Sequence, residues 1–309
     1  MFGAAGFVGA RLLPELIKRD IRLRLFVRDR GKVADVAAKH KDVEVFEGDL
    51  VSGMGLREAL RGTHSAYYLV HSMGGQSIFR NAEYALKDKT AARNFISAAN
   101  EENLKRVIYL GGLGEAKDEL SEHLKSRAEV AEILSSGKAA ATILRAAIII
   151  GAGGASFEML RYLVERLPVM VCPKWIDTRI QPIALKDVLA YLVGCLLNPD
   201  TAGHTFDIGG PEILTYREMM HAYAEARGLP SRIIVTVPVL TPILSAYWVD
   251  LVTPVTSGVA HPLIEGLKNE VICRDNSIEE FVHVGKTPFA EAVKTAFSEE
   301  KSGPGITGF

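Results

Sequence analysis

The sequence predicts a doubly wound α/β fold built on a parallel sheet, and three observations predict it. Short β-rich runs alternate with longer helical patterns through the first half. A glycine triplet, Gly3-Ala-Ala-Gly6-Phe7-Val8-Gly9, runs straight into an apolar-periodic helix. After Ile150 the pattern loosens into mixed helices, short strands and turns, as a smaller region added to such a sheet would. With 309 residues, 48% apolar and 24% charged, the chain has material for a continuous core.

In chain order, the helix Ala10–Lys18 precedes the strand Ile21–Val27, which makes the first helix-to-strand return. Val43–Phe46, Ala66–Val70, Arg106–Leu110 and Ala141–Ile150 are the later strands, each rich in β-branched or aromatic residues. Between them Leu56–Leu60, Ala82–Glu101 and Ser121–Leu134 read as crossover helices. Ala82–Glu101 carries Ala85, Ala92, Phe95, Ile96 and Ala99 near helical spacing. Beyond Ile150, Pro182, Pro211, the Gly209-Gly210 pair and Gly228–Pro230 mark turns, and KSGPGITGF at the end reads as frayed.

The glycine loop carries the first functional signal. Gly3 and Gly6 allow backbone conformations and close approaches that a Cβ would block. The helix N-terminus behind them offers free N–H groups and a positive dipole end to a pyrophosphate, with Phe7 and Val8 in the same loop. Gly9 would let the helix pack closely on the sheet. This is the pattern of a dinucleotide site, set at the start of a Rossmann-type domain over 1–150. A return segment at about 180–210 rejoins that domain, and 151–309 is mainly a substrate-side region. Only Met1 and Phe2 precede Gly3, so the leading central strand is missing from the pattern. Either the sequence starts late or these two residues are the stub of a displaced strand, and both neighbouring strands would then lack their partner.

The end of the second strand discriminates between nicotinamide cofactors. A carboxylate there accepts hydrogen bonds from the ribose 2′-OH of NAD, whereas an arginine pairs with the 2′-phosphate of NADP. Here the strand ends Val27-Arg28-Asp29-Arg30, with Arg28 at the discriminating distance from Gly9. NADP is the expected cofactor, and Asp29 leaves NAD as the alternative. Asp49, followed by Leu50 after Gly48, ends the next strand where a carboxylate or backbone N–H can contact adenine; a plain turn aspartate is the competing reading.

The glycine loop, the basic strand end, Gly48-Asp49-Leu50, the AYYLVHSMGG run and the TFDIGGPEILTYREM segment together resemble the atypical, extended short-chain dehydrogenase/reductases, including NmrA-like and epimerase-like proteins. Active members of that group use a serine after one strand and a Tyr-x-x-x-Lys on the following helix. This chain has Gly111-Gly112 at the serine position and His123-Leu-Lys-Ser-Arg127 at the second. Spaced i and i+4, His123 and Arg127 share a helix face and flank the apolar set Leu124, Ala128, Ala131 and Leu134. Arg127 could orient ribose or stabilise an anion, while His123, titrating near neutrality, is the expected acid/base group. His71, just past a strand and before Ser72-Met73-Gly74-Gly75, belongs at the carboxyl edge where ligands of open sheets bind and is a further candidate to line the pocket and to react, with strand-end packing as the alternative. Asp187 reads as a helix cap and Asp207 as the close of a strand, both structural.

Composition narrows the partners. A net charge of −1 gives no footprint for nucleic acid. Cys172, Cys195 and Cys273 lie far apart, which fits no disulfide framework or metal site and suggests a cytoplasmic setting. Ile233–Val249 has no formal charge, but Pro238 and Pro242 interrupt it, so it reads as internal packing rather than a membrane span. Val171–Gln181 and Ile233–Val255, with Trp175, Tyr247 and Trp248, would cover a hydrophobic carbonyl- or quinone-type small molecule. Two functions follow: an NAD(P)H-dependent oxidoreductase or epimerase, or a dinucleotide-binding redox sensor or assembly factor that has lost its proton path.

Overall fold

The computed structural model describes residues 1–71, 81–114, 121–237, 243 and 249–302, the side chains of 81, 82 and 300–302 excepted. The first half is β–α alternation: α1 (Gly9–Ile17), β1 (Leu23–Val27), α2 (Ala34–Lys39), β2 (Val43–Glu47), α3 (Leu56–Leu60), β3 (Ser65–Tyr68), α4 (Asn81–Glu101), β4 (Arg106–Gly112), α5 (Glu122–Ser135) and β5 (Ala140–Ala146). Strand β10 (Thr205–Ile208) returns from the second half to pair with β5, Phe206 opposite Leu144. All ladders of this sheet are parallel, in the orders β1–β2 and β10–β5–β4–β3.

Met1 and Phe2 join those two groups. Phe2 bridges Phe26 of β1 on one side and Tyr68 of β3 on the other. Its N–H donates to the Tyr67 carbonyl at 2.9 Å and its carbonyl accepts from the Leu69 N–H at 3.0 Å. The Phe26 N–H donates to the Met1 carbonyl at 3.0 Å. The Phe2 ring lies 4.9 Å from both Phe26 and Phe95. The expectation that both neighbours lose their partner is therefore corrected. Two residues stand in the central slot, in place rather than displaced, and supply the strand order of a doubly wound sheet.

Apolar cores lie on both faces. Leu12, Leu13 and Leu16 of α1 pack with Leu25, Ile108, Leu144 and Phe206 on one side. Phe95, Ala92 and Ala99 of α4 pack with Val107, Tyr109, Ile143, Val130 and Leu134 on the other. This two-sided burial explains the near-continuous hydrophobic runs of the strands.

Four local readings change. The run Ala141–Ile150 divides into β5 and β6 (Ile149–Ile150), because β6 leaves the main sheet to pair with β9 (Ile183–Ala184). α2 follows a 3-10 turn at Arg30–Val33 and buries no residue of its own, so it left no apolar period to read. Asp187 does not cap α7 (Leu185–Leu197), whose N-cap is Ala184. Its carboxylate instead accepts from the N–H and Oγ1 of Thr287, both at 2.7 Å, and so ties down the C-terminal segment. On α5 the buried face is Ser126, Arg127, Val130 and Leu134, so Arg127 lies on the inner face rather than beside it.

The second half has its own core, with Phe157, Leu160 and Val164 of α6 (Ala155–Arg166) against Met219, Met220 and Tyr223 of α8 (Tyr216–Ala226). Strands β7 (Val169–Pro173) and β12 (Ile233–Val237) pair in parallel, and the short strands β8 (Arg179–Ile180) and β11 (Leu214–Thr215) pair antiparallel. Val169, Val171, Ile233 and Val235 are all exposed on one face of that pair, so this part of the apolar stretch is not internal packing. Tyr247, Trp248, Pro238, Pro242, Ser72 to Gly75 and 303–309 lie outside the described residues. No described helix is long and apolar enough to cross a membrane.

Candidate dinucleotide site

The glycine loop is shaped by two close approaches. At Gly3 φ is +87°, and a Cβ there would stand 2.6 Å from the Leu69 carbonyl oxygen. At Gly9 a Cβ would stand 2.0 Å from the Gly3 carbonyl oxygen. Between them the exposed Gly6 donates its N–H to Gly3 O at 3.0 Å and accepts from Ala10 N–H at 2.9 Å, which folds the loop onto the start of α1. Neither a side-chain cap nor an acidic residue occupies the first turn of α1. The helix end is thus left to an external anion.

At the end of β1 the three charged residues have different work. Asp29 turns back to accept from Gly31 N–H at 2.8 Å and caps the 3-10 turn. Arg30 reaches across to Val45 O at 2.8 Å and to Glu47. Arg28 is exposed. Asp49 accepts from the Ser52 N–H at 2.8 Å, the turn-aspartate geometry, and the Leu50 side chain is buried in the core, which leaves its backbone as what it can present.

Beyond the ends of β3 and β4, His71, His123 and Arg127 gather. Arg127 is buried, and both it and His123 stand near enough to His71 to depress its basicity. Burial first, then Arg127, lowers the His123 pKa to about 3. His71 is driven the same way by the protein crowded around it and then by Arg127 and His123, although its own surface is exposed. The expectation that His123 titrates near neutrality is therefore corrected: at pH 7 it is a neutral imidazole, able to donate from one nitrogen and accept at the other.

The sequence did not single out Tyr109, which organises this corner. Its ring fills the space beside Gly111, where a Cβ would stand 2.8 Å from Tyr109 Cε1. Its hydroxyl donates to the Arg127 carbonyl at 3.4 Å. Residues i and i+2 of a strand share a face, so Tyr109 beside Gly111 was a legible signal. At Gly112 a Cβ would lie 3.0 Å from Leu124 Cδ2 and 3.5 Å from Arg127 Cγ, so the glycine admits the stem of Arg127. Asp207, buried at the same edge, pairs with Arg145 at 2.6 Å and accepts from Arg274 N–H at 3.0 Å.

Residues 3–149 match the NAD(P)H-binding family. This segment is an NAD(P)H-binding domain. It contains the glycine loop, Arg28, Asp49, His71, His123 and Arg127. The structure of a nucleoside-diphosphate-sugar epimerase from Staphylococcus aureus superposes with a TM-score of 0.74 at 18% identity, over 95% of this chain and 98% of that one. A Citrobacter triphenylmethane reductase complexed with NADP(H) gives 0.73 at 18%, over 96% and 98%. An Escherichia coli NADPH-dependent quinone oxidoreductase complexed with NADPH gives 0.73 at 17%, over 96% and 98%. Among curated proteins, the mitochondrial NADH dehydrogenase [ubiquinone] 1 alpha subcomplex subunit 9 of Arabidopsis thaliana is 25% identical over 228 residues, 71% of this chain and 55% of that protein. The chain spans about half the length of this relative. The NAD(P)H-binding domain and the fold beyond it agree with the resemblance to the atypical extended short-chain dehydrogenase/reductases.

Proposed function

We propose that this NAD(P)H-binding protein is an NADPH-preferring oxidoreductase that reduces a small carbonyl- or quinone-type acceptor. The observation that carries the reading is the meeting of Arg127 with two neutral imidazoles, His71 and His123, beyond the end of β3, where His71 follows by two residues the Leu69 carbonyl that lies against Gly3. NADPH, when bound, supplies the hydride. The guanidinium of Arg127, a planar fork of N–H donors, is suited to stabilise the negative charge that grows on the acceptor oxygen. His123 and His71, neutral at pH 7, are suited to donate hydrogen bonds to that oxygen and to relay a proton from water, not to carry a stored proton. Preference for NADPH is supported by the division of labour after β1. Asp29 is held as a cap and Arg30 on β2, whereas Arg28 is exposed at the place where a 2′-phosphate would lie. The triphenylmethane reductase and the quinone oxidoreductase, complexed with NADP(H) and NADPH, are in keeping with this choice.

A second reading is a dinucleotide-binding protein without turnover. One observation favours it: the Tyr109 ring occupies the space beside Gly111 where the related enzymes carry their serine. Parallel fluorescence titrations with NADPH and NADH, followed by NADPH oxidation assays with quinone acceptors, separate the two. Tight NADPH binding with quinone-dependent oxidation lost in Arg127→Leu supports the oxidoreductase. Tight binding with no oxidation above the buffer rate supports the second reading.

A further inference from the structure

The glycine loop is mechanically tied to the second half of the chain. Phe7 leaves the loop and lays its ring edge on the turn 151–154 that leads from β6 into α6. A Cβ on Gly154 would stand 2.8 Å from Phe7 Cζ, and one on Gly151 would stand 3.3 Å from the same atom. Arg11, in the first turn of α1, lies over the Phe7 ring with its guanidinium carbon 4.9 Å from the ring centroid. One of its nitrogens donates to the Phe7 carbonyl at 3.0 Å and another to the carbonyl of Ala152. Ala152 is buried at the entry of the second core, and Gly153 in the same turn has φ of +78° and donates its N–H to the buried Glu158 of α6 at 2.9 Å. The turn is thus fastened to α6 on one side and to the loop on the other.

We infer that Phe7 and Arg11 are positioning residues that couple dinucleotide occupancy of the glycine loop to the placement of α6 and the substrate-side core. A pyrophosphate held by the loop N–H groups fixes Phe7, and Phe7 with Arg11 fixes the turn 151–154. By reciprocity, a change in that turn alters affinity for the dinucleotide. The inference rests on the dinucleotide-binding part of the proposed function and not on turnover.

Gly154→Ala tests it from the far side. Gly154 lies outside the NAD(P)H-binding segment, and its φ of −81° is open to alanine, so the added methyl acts on the Phe7 ring. Arg11→Met tests it from the near side by removing both carbonyl contacts. In the full chain, fluorescence titration should show NADPH binding weakened about fivefold or more in each variant, with the circular dichroism of the parent. Amide exchange over 155–166 should slow on addition of NADPH to the parent and respond less in both variants. Parent-like affinity in the folded variants, or exchange over 155–166 that ignores NADPH in the parent, overturns the coupling. Should Gly154→Ala not fold, Arg11→Met with the exchange measurement decides alone. Failure of the oxidation assay leaves this inference standing, whereas absence of NADPH binding to the parent overturns both.

Discussion

Gly9 and Gly3 meet so closely that a methyl carbon on Gly9 would lie 2.0 Å from the Gly3 carbonyl oxygen. Backbone stands on both sides of this contact, and no flexible side chain is there to yield. Gly9→Ala should lower thermal stability, with a cost of about 1–3 kcal/mol from overpacking, and weaken NADPH binding by displacing the loop. Gly6→Ala, whose Cβ would meet Gly3 O at 3.3 Å, should be milder on stability. Thermal melts with and without NADPH check the order; equal effects of the two substitutions would contradict it.

Arg28→Ala should reduce the ratio of NADPH to NADH affinity about tenfold or more, the loss of one charge-assisted hydrogen bond worth about 1.5–3 kcal/mol. Asp29→Ala should leave that ratio near the parent value, since its carboxylate caps Gly31 N–H. Parallel titrations with the two cofactors read both effects. A ratio that follows Asp29 instead would move the selector by one residue.

The lowered basicity of His123 has a sign that stability can report. Its pKa falls from 6.5 to about 3 on folding, so between these values the unfolded chain binds the proton more. Stability should therefore rise with pH through that window, by up to about 1.4 kcal/mol per pH unit, and this contribution levels off above the unfolded value. Denaturant midpoints for the parent and His123→Gln across pH 4–7.5, a range chosen at about the ordinary histidine pKa, should diverge as the pH falls, the parent losing more. Parallel curves would remove His123 as the source.

Arg145 and Asp207 form a pair with the carboxylate almost fully buried. Asp207→Asn leaves Arg145, itself partly open to solvent, without its charge partner at the sheet edge, and the loss of these charge-assisted hydrogen bonds costs about 1.5–3 kcal/mol. A large drop in melting temperature, with NADPH affinity changed far less, is the expected outcome; a loss confined to cofactor binding would assign the pair to the site instead.

The doubly wound order was legible because the inner strands β1, β3, β4 and β5 are largely buried on both faces and the long crossover helices on one, so burial wrote itself into the hydrophobic pattern. The helix α2 was not, since it buries nothing. The sequence favoured Arg28 over Asp29 as the selector by its distance from Gly9, but it could not read that Asp29 is captured by Gly31 N–H and Arg30 by β2, since those are contacts of the folded turn.

By itself the sequence determined the dinucleotide fold, the glycine loop and the i, i+4 pairing of His123 with Arg127, all consequences of local spacing and backbone sterics. Only the tertiary structure decided that Met1 and Phe2 hold the central slot, that Tyr109 fills the place beside Gly111, and that His123 stays neutral beside Arg127. Those outcomes depend on desolvation and on contacts between residues distant in the chain, and neither is encoded in any single window of sequence.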